Sequence, residues 1–315
     1  MDDEVVKNIL ITGGSGSFGN AFVERLLTRD DVERIVIYSR DEHKQERMAQ
    51  KFDHSERLRF FIGDVRDQQR LEMAMHGIDT IVHAAAMKIV PIAEYNPTEC
   101  IATNITGAEN VIRTAIRYGV RKVLALSTDK AVNPVNLYGA TKLCAEKVFI
   151  AANALSAGTC AFSVMRYGNV VGSNGSVVPV FRRLLAAGKP LTLTDLRMTR
   201  FWITMDQAIN FSFKCLDTMQ RREIFVPKIP SIKITNLAKA FGAGTVTYTG
   251  IRPGEKLHET LISTDEGRST IDYGEYYCIY PDSASAGGAA MPDGWSYRSD
   301  DNDFLTVDQI KETIA

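Results

Sequence analysis

The chain has 315 residues, of which 45% are hydrophobic and 24% charged, and its formal net charge is −1. These figures describe a globular protein with room for a large core, and they exclude a nucleic-acid or anionic-membrane binder that works by bulk positive charge. Five scattered cysteines (Cys100, Cys144, Cys160, Cys215 and Cys278) form no CxxC pair, which argues against a zinc site or a disulfide framework and fits a reducing cytoplasm.

The N-terminal stretch MDDEVVKN is acidic and polar, without a signal-peptide pattern. No apolar run approaches the roughly 18–20 residues of a membrane span, because His83 and Lys88 interrupt the best candidate. A cytoplasmic protein is expected, with no membrane partner, no nucleic acid and no bound metal.

In chain order, Asn8–Thr12 is an apolar strand run, followed by a glycine-rich turn and a helix from about Phe18 to Leu27. Ile35–Tyr38, Phe60–Ile62, Thr80–His83 and Val123–Leu126 repeat the strand pattern, and helical stretches near Glu42–Phe52, Gln68–Met75 and Pro97–Tyr118 separate them. Continuous Ile/Val/Leu strands alternating with helices predict a parallel, doubly wound α/β sheet of Rossmann type, with its ligand beyond the carboxyl ends of the strands. Past Asn169 the rhythm loosens into short strands at Leu191–Leu193, Ile224–Pro227 and Val246–Tyr248, with helices near Val177–Ala187 and Asp206–Met219. The expected organisation is a dinucleotide-binding domain over 1–168 and a smaller, mainly substrate-binding lobe over 169–315, some of whose segments return to the first domain. Residues 283–294 (SASAGGAAMPDG) read as a mobile surface loop.

The turn GGSGSFG places Gly13, Gly16 and Gly19 between a strand and a helix, with Ser15, Ser17 and Phe18 in the same loop. Glycine permits a tight turn and close approach to a pyrophosphate, which the helix N-terminus attracts. Such a triplet by itself also fits an ordinary strand–helix turn; the flanking strand and helix favour a dinucleotide. The GxxGxxG spacing resembles the short-chain dehydrogenase/reductase superfamily. At the end of the second strand, where an NAD site usually carries an acid, the chain has Ser39 and Arg40, with Lys44 nearby. These cations suit a 2′-phosphate, so NADP is expected. Asp41 lies one residue late and fits a helix N-cap, which leaves NAD open. Asp64 and Val65 resemble the superfamily's adenine-binding pair, and Ala84, Ala85 and Ala86 supply small side chains after the fourth strand.

Tyr138 and Lys142 stand four apart in LYGATK, on one face of a helix. An ammonium beside a phenol favours the phenolate, so this pair can act as a base on an alcohol. Thr128, at the end of the fifth strand, is placed to bond the same hydroxyl. Asp129 and Lys130 follow directly, and an acid and potential base beside that triad suggest a second reaction at neighbouring carbons, although an Asp-Lys dipeptide alone fits a surface turn.

STDKAVNPVNLYGATK, AAAMK, EYNP, RYGNVVGSNGSVVP, RMTRFWI, IRPGEKLHE and YRSDDN together resemble the inverting UDP-N-acetylglucosamine 4,6-dehydratase family, within the extended short-chain dehydrogenases/reductases. The resemblance implies oxidation at carbon 4, removal of the carbon-5 proton by Lys130, protonation of the departing 6-hydroxyl by Asp129, and return of the hydride to carbon 6. A lysine base must be neutral when it acts, so a depressed pKa is expected for Lys130. Asn104, Tyr138 and Lys142 are implied to touch the cofactor. Asn169 is implied at the sugar–phosphate, Ser176 and Val177 at the nucleotide and Glu255 at the ribose, while Lys88, Arg200 and Arg252 are the candidate diphosphate cations. The chain carries Ile89 where that family usually has His. Membrane-bound retaining relatives typically carry Met in place of Tyr138 and have N-terminal spans, so the inverting branch is favoured. A UDP-sugar 4-epimerase, a retaining dehydratase and a non-catalytic dinucleotide-binding regulator are the alternatives, and relatives of this kind are commonly homo-oligomers.

Overall fold

The computed structural model describes residues 7–173, 175–244, 246–280 and 289–315. The chain forms two compact units that interleave in sequence. The first comprises 7–127, 141–165 and 209–224; the second comprises 128–140, 166–208 and 225–315, within the described residues.

The first unit opens with β1 (Asn8–Thr12), α1 (Ser17–Leu27), β2 (Arg34–Ser39), α2 (Glu42–Lys51), β3 (Leu58–Ile62), α3 (Gln68–Met75) and β4 (Thr80–His83). Two short helices follow, α4 (Val90–Tyr95) and α5 (Pro97–Ile101), then a π-helical segment at Ala102–Thr106, α6 (Gly107–Arg117) and β5 (Lys122–Thr128). Helix α7 (Leu137–Leu155) and strand β6 (Ala161–Tyr167) pass from one unit into the other along the chain. The sheet order is β3-β2-β1-β4-β5-β6, and every register from β3 to β5 is parallel. Ile9, Leu10, Ile11, Ile35, Ile37, Ile81, Val82, Val123 and Leu124 are buried, as strands covered on both faces require. Asp41 and Asp67 start α2 and α3 by accepting the Lys44 and Arg70 backbone N–H groups.

The helical stretch expected near Pro97–Tyr118 is helical from Pro97 to Arg117, as α5, a π-helical turn and α6 in unbroken succession. The wider turn carries Asn104, whose side chain bonds the Met87 backbone in both directions, so a side-chain latch accompanies the break in the regular ladder.

The second unit contains β7 (Asn169–Val170), α8 (Val177–Ala186), β8 (Leu191–Leu193) and β9 (Thr199–Ile203). Helix α9 (Met205–Thr218) leads into the first unit, and β10 (Ile224–Pro227) leads back. Next come β11 (Ser231–Lys233), α10 (Ile234–Ala240), β12 (Val246–Tyr248), β13 (Thr260–Ile262), α11 (Thr264–Gly267), β14 (Thr270–Asp272), β15 (Tyr276–Ile279), β16 (Ala289–Ala290), β17 (Tyr297–Arg298) and α12 (Val307–Ile314). Strand β9 pairs antiparallel with β11 and parallel with β7, and β13 pairs with β17. Phe181, Leu191, Trp202, Ile232, Leu237 and Ile310 form this unit's own core. Of the segment expected as a mobile loop, 283–288 lies outside the described residues, while Ala289 and Ala290 pair antiparallel with Ile271 and Asp272. Among the described residues no helix is long and apolar enough to cross a membrane.

Candidate active site

The first unit presents a dinucleotide cradle. Gly13 turns with φ +68°, and a Cβ there would stand 2.9 Å from the Ala85 backbone. The turn and the Ala84–Ala86 segment therefore close on each other only because Gly13 lacks a side chain. Gly16 is the N-cap of α1 and supplies no side-chain acceptor, which leaves the positive end of the helix facing its own turn, an environment suited to pyrophosphate. Ser15 is buried in that turn, and Ser17, Phe18 and Gly19 form the first turn of α1. Asn104 donates to the Met87 carbonyl (3.0 Å) and to Thr141 Oγ1 (3.0 Å), fixing the loop after β4.

At the end of β2, Asp41 Oδ1 accepts the Lys44 N–H at 3.0 Å and Oδ2 lies 3.5 Å from Lys44 Nζ. The Asp41 carboxylate is thus engaged as a helix cap. The Arg40 side chain is 61% exposed, with Nη1 3.6 Å from Asp64 Oδ2, and Asp64 also pairs with Arg66. Ser39 Oγ accepts a bond from Gln45, and Val65 is buried. The residues present fit a nicotinamide dinucleotide.

Helix α7 starts at an Asn136 cap, whose Oδ1 accepts the Gly139 N–H at 2.8 Å. It carries Tyr138 and, one turn on, Lys142, both buried. Lys142 Nζ donates to the Leu126 carbonyl at 2.7 Å. Burial lowers its pKa to about 8, against the opposing pull of Glu146.

Asp129 and Lys130 belong to the second unit. Thr128 caps the 3-10 turn Asp129–Ala131, its Oγ1 accepting the Lys130 N–H (3.3 Å) and donating to Asp129 Oδ1 (2.8 Å). Lys130 Nζ donates to the same Oδ1 at 2.9 Å. A Cβ on Gly139 would stand 2.2 Å from the Lys130 carbonyl oxygen, so the missing side chain allows the first turn of α7 to lie against this turn. Asp129 is fully buried, and its Oδ2 has no hydrogen-bond partner among the described residues.

Two residues that sequence reasoning missed complete the cluster. Glu259 is buried, with Oε1 3.6 Å from Lys130 Nζ and 3.7 Å from Arg200 Nε, and with Oε2 3.9 Å from Lys256 Nζ. Burial alone would lower the Lys130 pKa, but Asp129 and Glu259 together outweigh it and hold the ammonium above its ordinary value. The depressed pKa expected for Lys130 is therefore not found in this arrangement. The signal for Lys256 and Glu259 was their place in IRPGEKLHE, from which only Arg252 and Glu255 had been selected.

The candidate substrate residues divide by environment. Asn169 on β7 and Ser176 at the N-cap of α8 each bury a side-chain oxygen with no partner among the described residues, and Val177 begins that helix. Such orphaned atoms suit a polar ligand. Lys88 and Arg252 are exposed, and Glu255 accepts the Arg252 backbone N–H at 3.2 Å. Arg200 is turned inward: its guanidinium donates to the Thr199, Leu257 and Lys256 carbonyls, which ties β9 to the 256–259 segment. Among the described residues no cluster of His, Cys, Asp or Glu could hold a metal ion.

The parallel sheet in 3-2-1-4-5-6 order, the glycine turn and the Tyr–Lys helix define an extended short-chain dehydrogenase/reductase. Comparison with known proteins agrees. A family described as polysaccharide biosynthesis protein matches residues 9–281. An inverting UDP-N-acetylglucosamine 4,6-dehydratase of Campylobacter jejuni subsp. jejuni serotype O:23/36 (strain 81-176) is 52% identical over 312 residues, spanning 94% of this chain and 93% of the relative. A UDP-glucose 4-epimerase of Rickettsia typhi is 45% identical over 284 residues, spanning 87% and 83%. The X-ray structure of Pen from Bacillus thuringiensis matches with a TM-score of 0.92 at 33% identity, covering 100% of this chain and 98% of that one. The chain belongs to the polysaccharide biosynthesis protein family. The likeness to inverting dehydratases expected from STDKAVNPVNLYGATK and its companion motifs extends over nearly the whole chain.

Proposed function

We propose that this protein dehydrates UDP-N-acetylglucosamine at carbons 4, 5 and 6 with inversion at carbon 5, giving UDP-2-acetamido-2,6-dideoxy-β-L-arabino-hexos-4-ulose. One observation carries the reading: a buried carboxyl with an unpartnered oxygen, Asp129, is hydrogen-bonded at 2.9 Å to a lysine amine, directly after Thr128. A redox triad that only oxidises and re-reduces carbon 4 has no use for that added acid–base pair.

When bound, the nicotinamide supplies hydride chemistry, accepting from carbon 4 and returning to carbon 6. Tyr138 takes the 4-hydroxyl proton while Thr128 holds that oxygen, and Lys142 stabilises the phenolate. The resulting ketone acidifies carbon 5. Lys130 becomes a base by passing one proton to Asp129 across their hydrogen bond, a transfer that leaves the pair's proton count unchanged. Lys130 then removes the carbon-5 proton, and Asp129 protonates the 6-oxygen, which departs as water. The pair ends as ammonium and carboxylate. A solvent proton then adds to carbon 5 on the opposite face with the assistance of Lys130, and the proton held by Tyr138 passes to solvent, so the protons balance.

The cofactor in this reading is NADP. The Asp41 carboxylate is engaged at the start of α2, and Arg40 and Lys44 are the cations available to a 2′-phosphate. Asn169, Ser176, Val177 and Glu255 line the nucleotide sugar, and Lys88 and Arg252 meet its phosphates. A diphosphate reaching Arg200 would compete with three carbonyls, so its role is to brace the loop that carries Glu259. We place the protein in the cytoplasm as a homo-oligomer, feeding bacterial surface-sugar synthesis of the pseudaminic-acid type.

Relatives named UDP-glucose 4-epimerase favour a second reading, inversion at carbon 4 with no loss of water. Incubation with UDP-N-acetylglucosamine and NMR of the product separates the two. A 6-deoxy-4-hexulose of inverted carbon-5 configuration supports the dehydratase; a 4-epimer that keeps its 6-hydroxyl defeats it.

A further inference from the structure

We propose that Glu259 is a positioning residue for the base: its carboxylate holds the Lys130 amine in place while Asp129 carries the proton destined for the leaving oxygen. The proposal rests on the dehydratase reading and deepens it. In the ion-paired state Lys130 Nζ has two anionic neighbours, Asp129 Oδ1 at 2.9 Å and Glu259 Oε1 at 3.6 Å. Once the proton has moved to Asp129 the amine is neutral, and Glu259 is the remaining carboxylate beside it, an acceptor toward which an amine N–H can turn. Lys130 has a long, flexible stem, so without that second anchor the amine would lose its aim at carbon 5.

Glu259 is itself fixed by opposed charges. The charged groups around Lys130 in this unit are Asp129, Glu259 and Arg200, with Lys256 on the far side of Glu259. Its position before β13 and the brace that Arg200 makes to Leu257 and Lys256 hold the carboxylate in reach. Glu259 Oε2 is buried and accepts no hydrogen bond among the described residues, with Lys256 Nζ 3.9 Å away, and Asp129 Oδ2 likewise accepts none.

The arrangement predicts a separation of the two half-reactions. Glu259→Gln keeps the shape and removes the charge. It should slow dehydration by about 100-fold, the scale of a misplaced reacting group. Oxidation at carbon 4, read as the absorbance of reduced cofactor, should stay within about twofold of wild type because Tyr138 and Lys142 are intact. Loss of the anion should also move the alkaline limb of the dehydration pH profile down by about one unit or more, since an anion beside an ammonium holds its proton. Glu259→Asp keeps the charge and shortens the reach, so it should slow dehydration roughly tenfold and leave that limb in place; it decides the matter if the Gln variant does not fold.

Equal losses in oxidation and dehydration in both variants, or undiminished dehydration in Glu259→Gln, would overturn the proposal. Wild-type protein that yields only the 4-epimer sinks the dehydratase reading and the proposal with it. Dehydration by wild type beside a Gln variant with an unmoved alkaline limb sinks the proposal alone.

Discussion

At the scale of single residues, the proposed reaction divides between two lysines with opposite surroundings. Lys142 is buried against a carbonyl and its pKa falls to about 8, whereas Lys130 is held protonated by two carboxylates. For Lys130 the consequence is kinetic. Lys130→Met should lower dehydration by about 10²–10⁴-fold, the usual contribution of a general base. Reduced cofactor should still form and then persist; rapid product formation by the variant would remove Lys130 from its role. For Lys142 the consequence is also thermodynamic. Its folded pKa lies below the unfolded value of about 10.4, so between those limits the unfolded chain binds more protons and stability rises with pH. In cofactor-free protein, wild type should gain on Lys142→Met between about pH 8 and 10 by on the order of 3 kcal/mol. Urea midpoints at the two ends of that window test this, and a constant difference would refute it.

At the scale of elements, the proposed reading makes the β1–α1 turn and the start of α2 decide what cofactor is held. Gly13→Ala forces a left-handed backbone on a residue with a Cβ, and that Cβ meets Ala85 at 2.9 Å. The expected cost is about 1–3 kcal/mol, together with weaker dinucleotide binding, read by thermal melting and cofactor titration. At α2 the two candidate determinants separate cleanly. Asp41→Ala removes a cap and should leave the preference between NADP and NAD in place. Arg40→Ala should cut that preference about tenfold or more, because it removes a cation available to the 2′-phosphate. A preference that followed Asp41 instead would point to NAD.

At the scale of the whole molecule, the second unit depends on a buried ion pair. Arg166 on β6 is fully buried, donates to the Leu261 carbonyl at 2.8 Å and pairs with Glu266 at 2.9 Å. Removing one partner strands a charge, so Arg166→Ala should cost about 3–5 kcal/mol. Burial alone would raise the Glu266 pKa, but Arg166 and Ser263 more than compensate and lower it. Its stabilising contribution is therefore present above the ordinary glutamate range and lost as pH falls through the lower folded value. Glu266→Gln should flatten the fall of stability below about pH 4.3; an unchanged acid limb in urea titrations would exclude the pair as a source of acid sensitivity.

Much of this was legible in local sequence. The apolar runs at Ile9–Ile11, Ile35–Ile37 and Ile81–Val82 marked strands of a buried parallel sheet, because no half-exposed strand tolerates such continuity. The glycine turn, the Tyr138–Lys142 spacing and the adjacency of Asp129 and Lys130 were readable for the same reason: each is a constraint between neighbours. Strand β6 is less legible, because Ser163 and Arg166 break its apolar pattern and a buried arginine is intelligible only beside Glu266, a hundred positions away. Lys256 and Glu259 were passed over in IRPGEKLHE because charge alone does not say which members of a motif turn inward. The sequence by itself determined the local groupings, Tyr138 with Lys142 and Asp129 with Lys130, since residues within one turn of each other are placed by backbone geometry. Only the tertiary structure decided the surroundings of Lys130, because folding encloses the amine and sets Glu259 beside it in addition to the carboxylate of its neighbour Asp129.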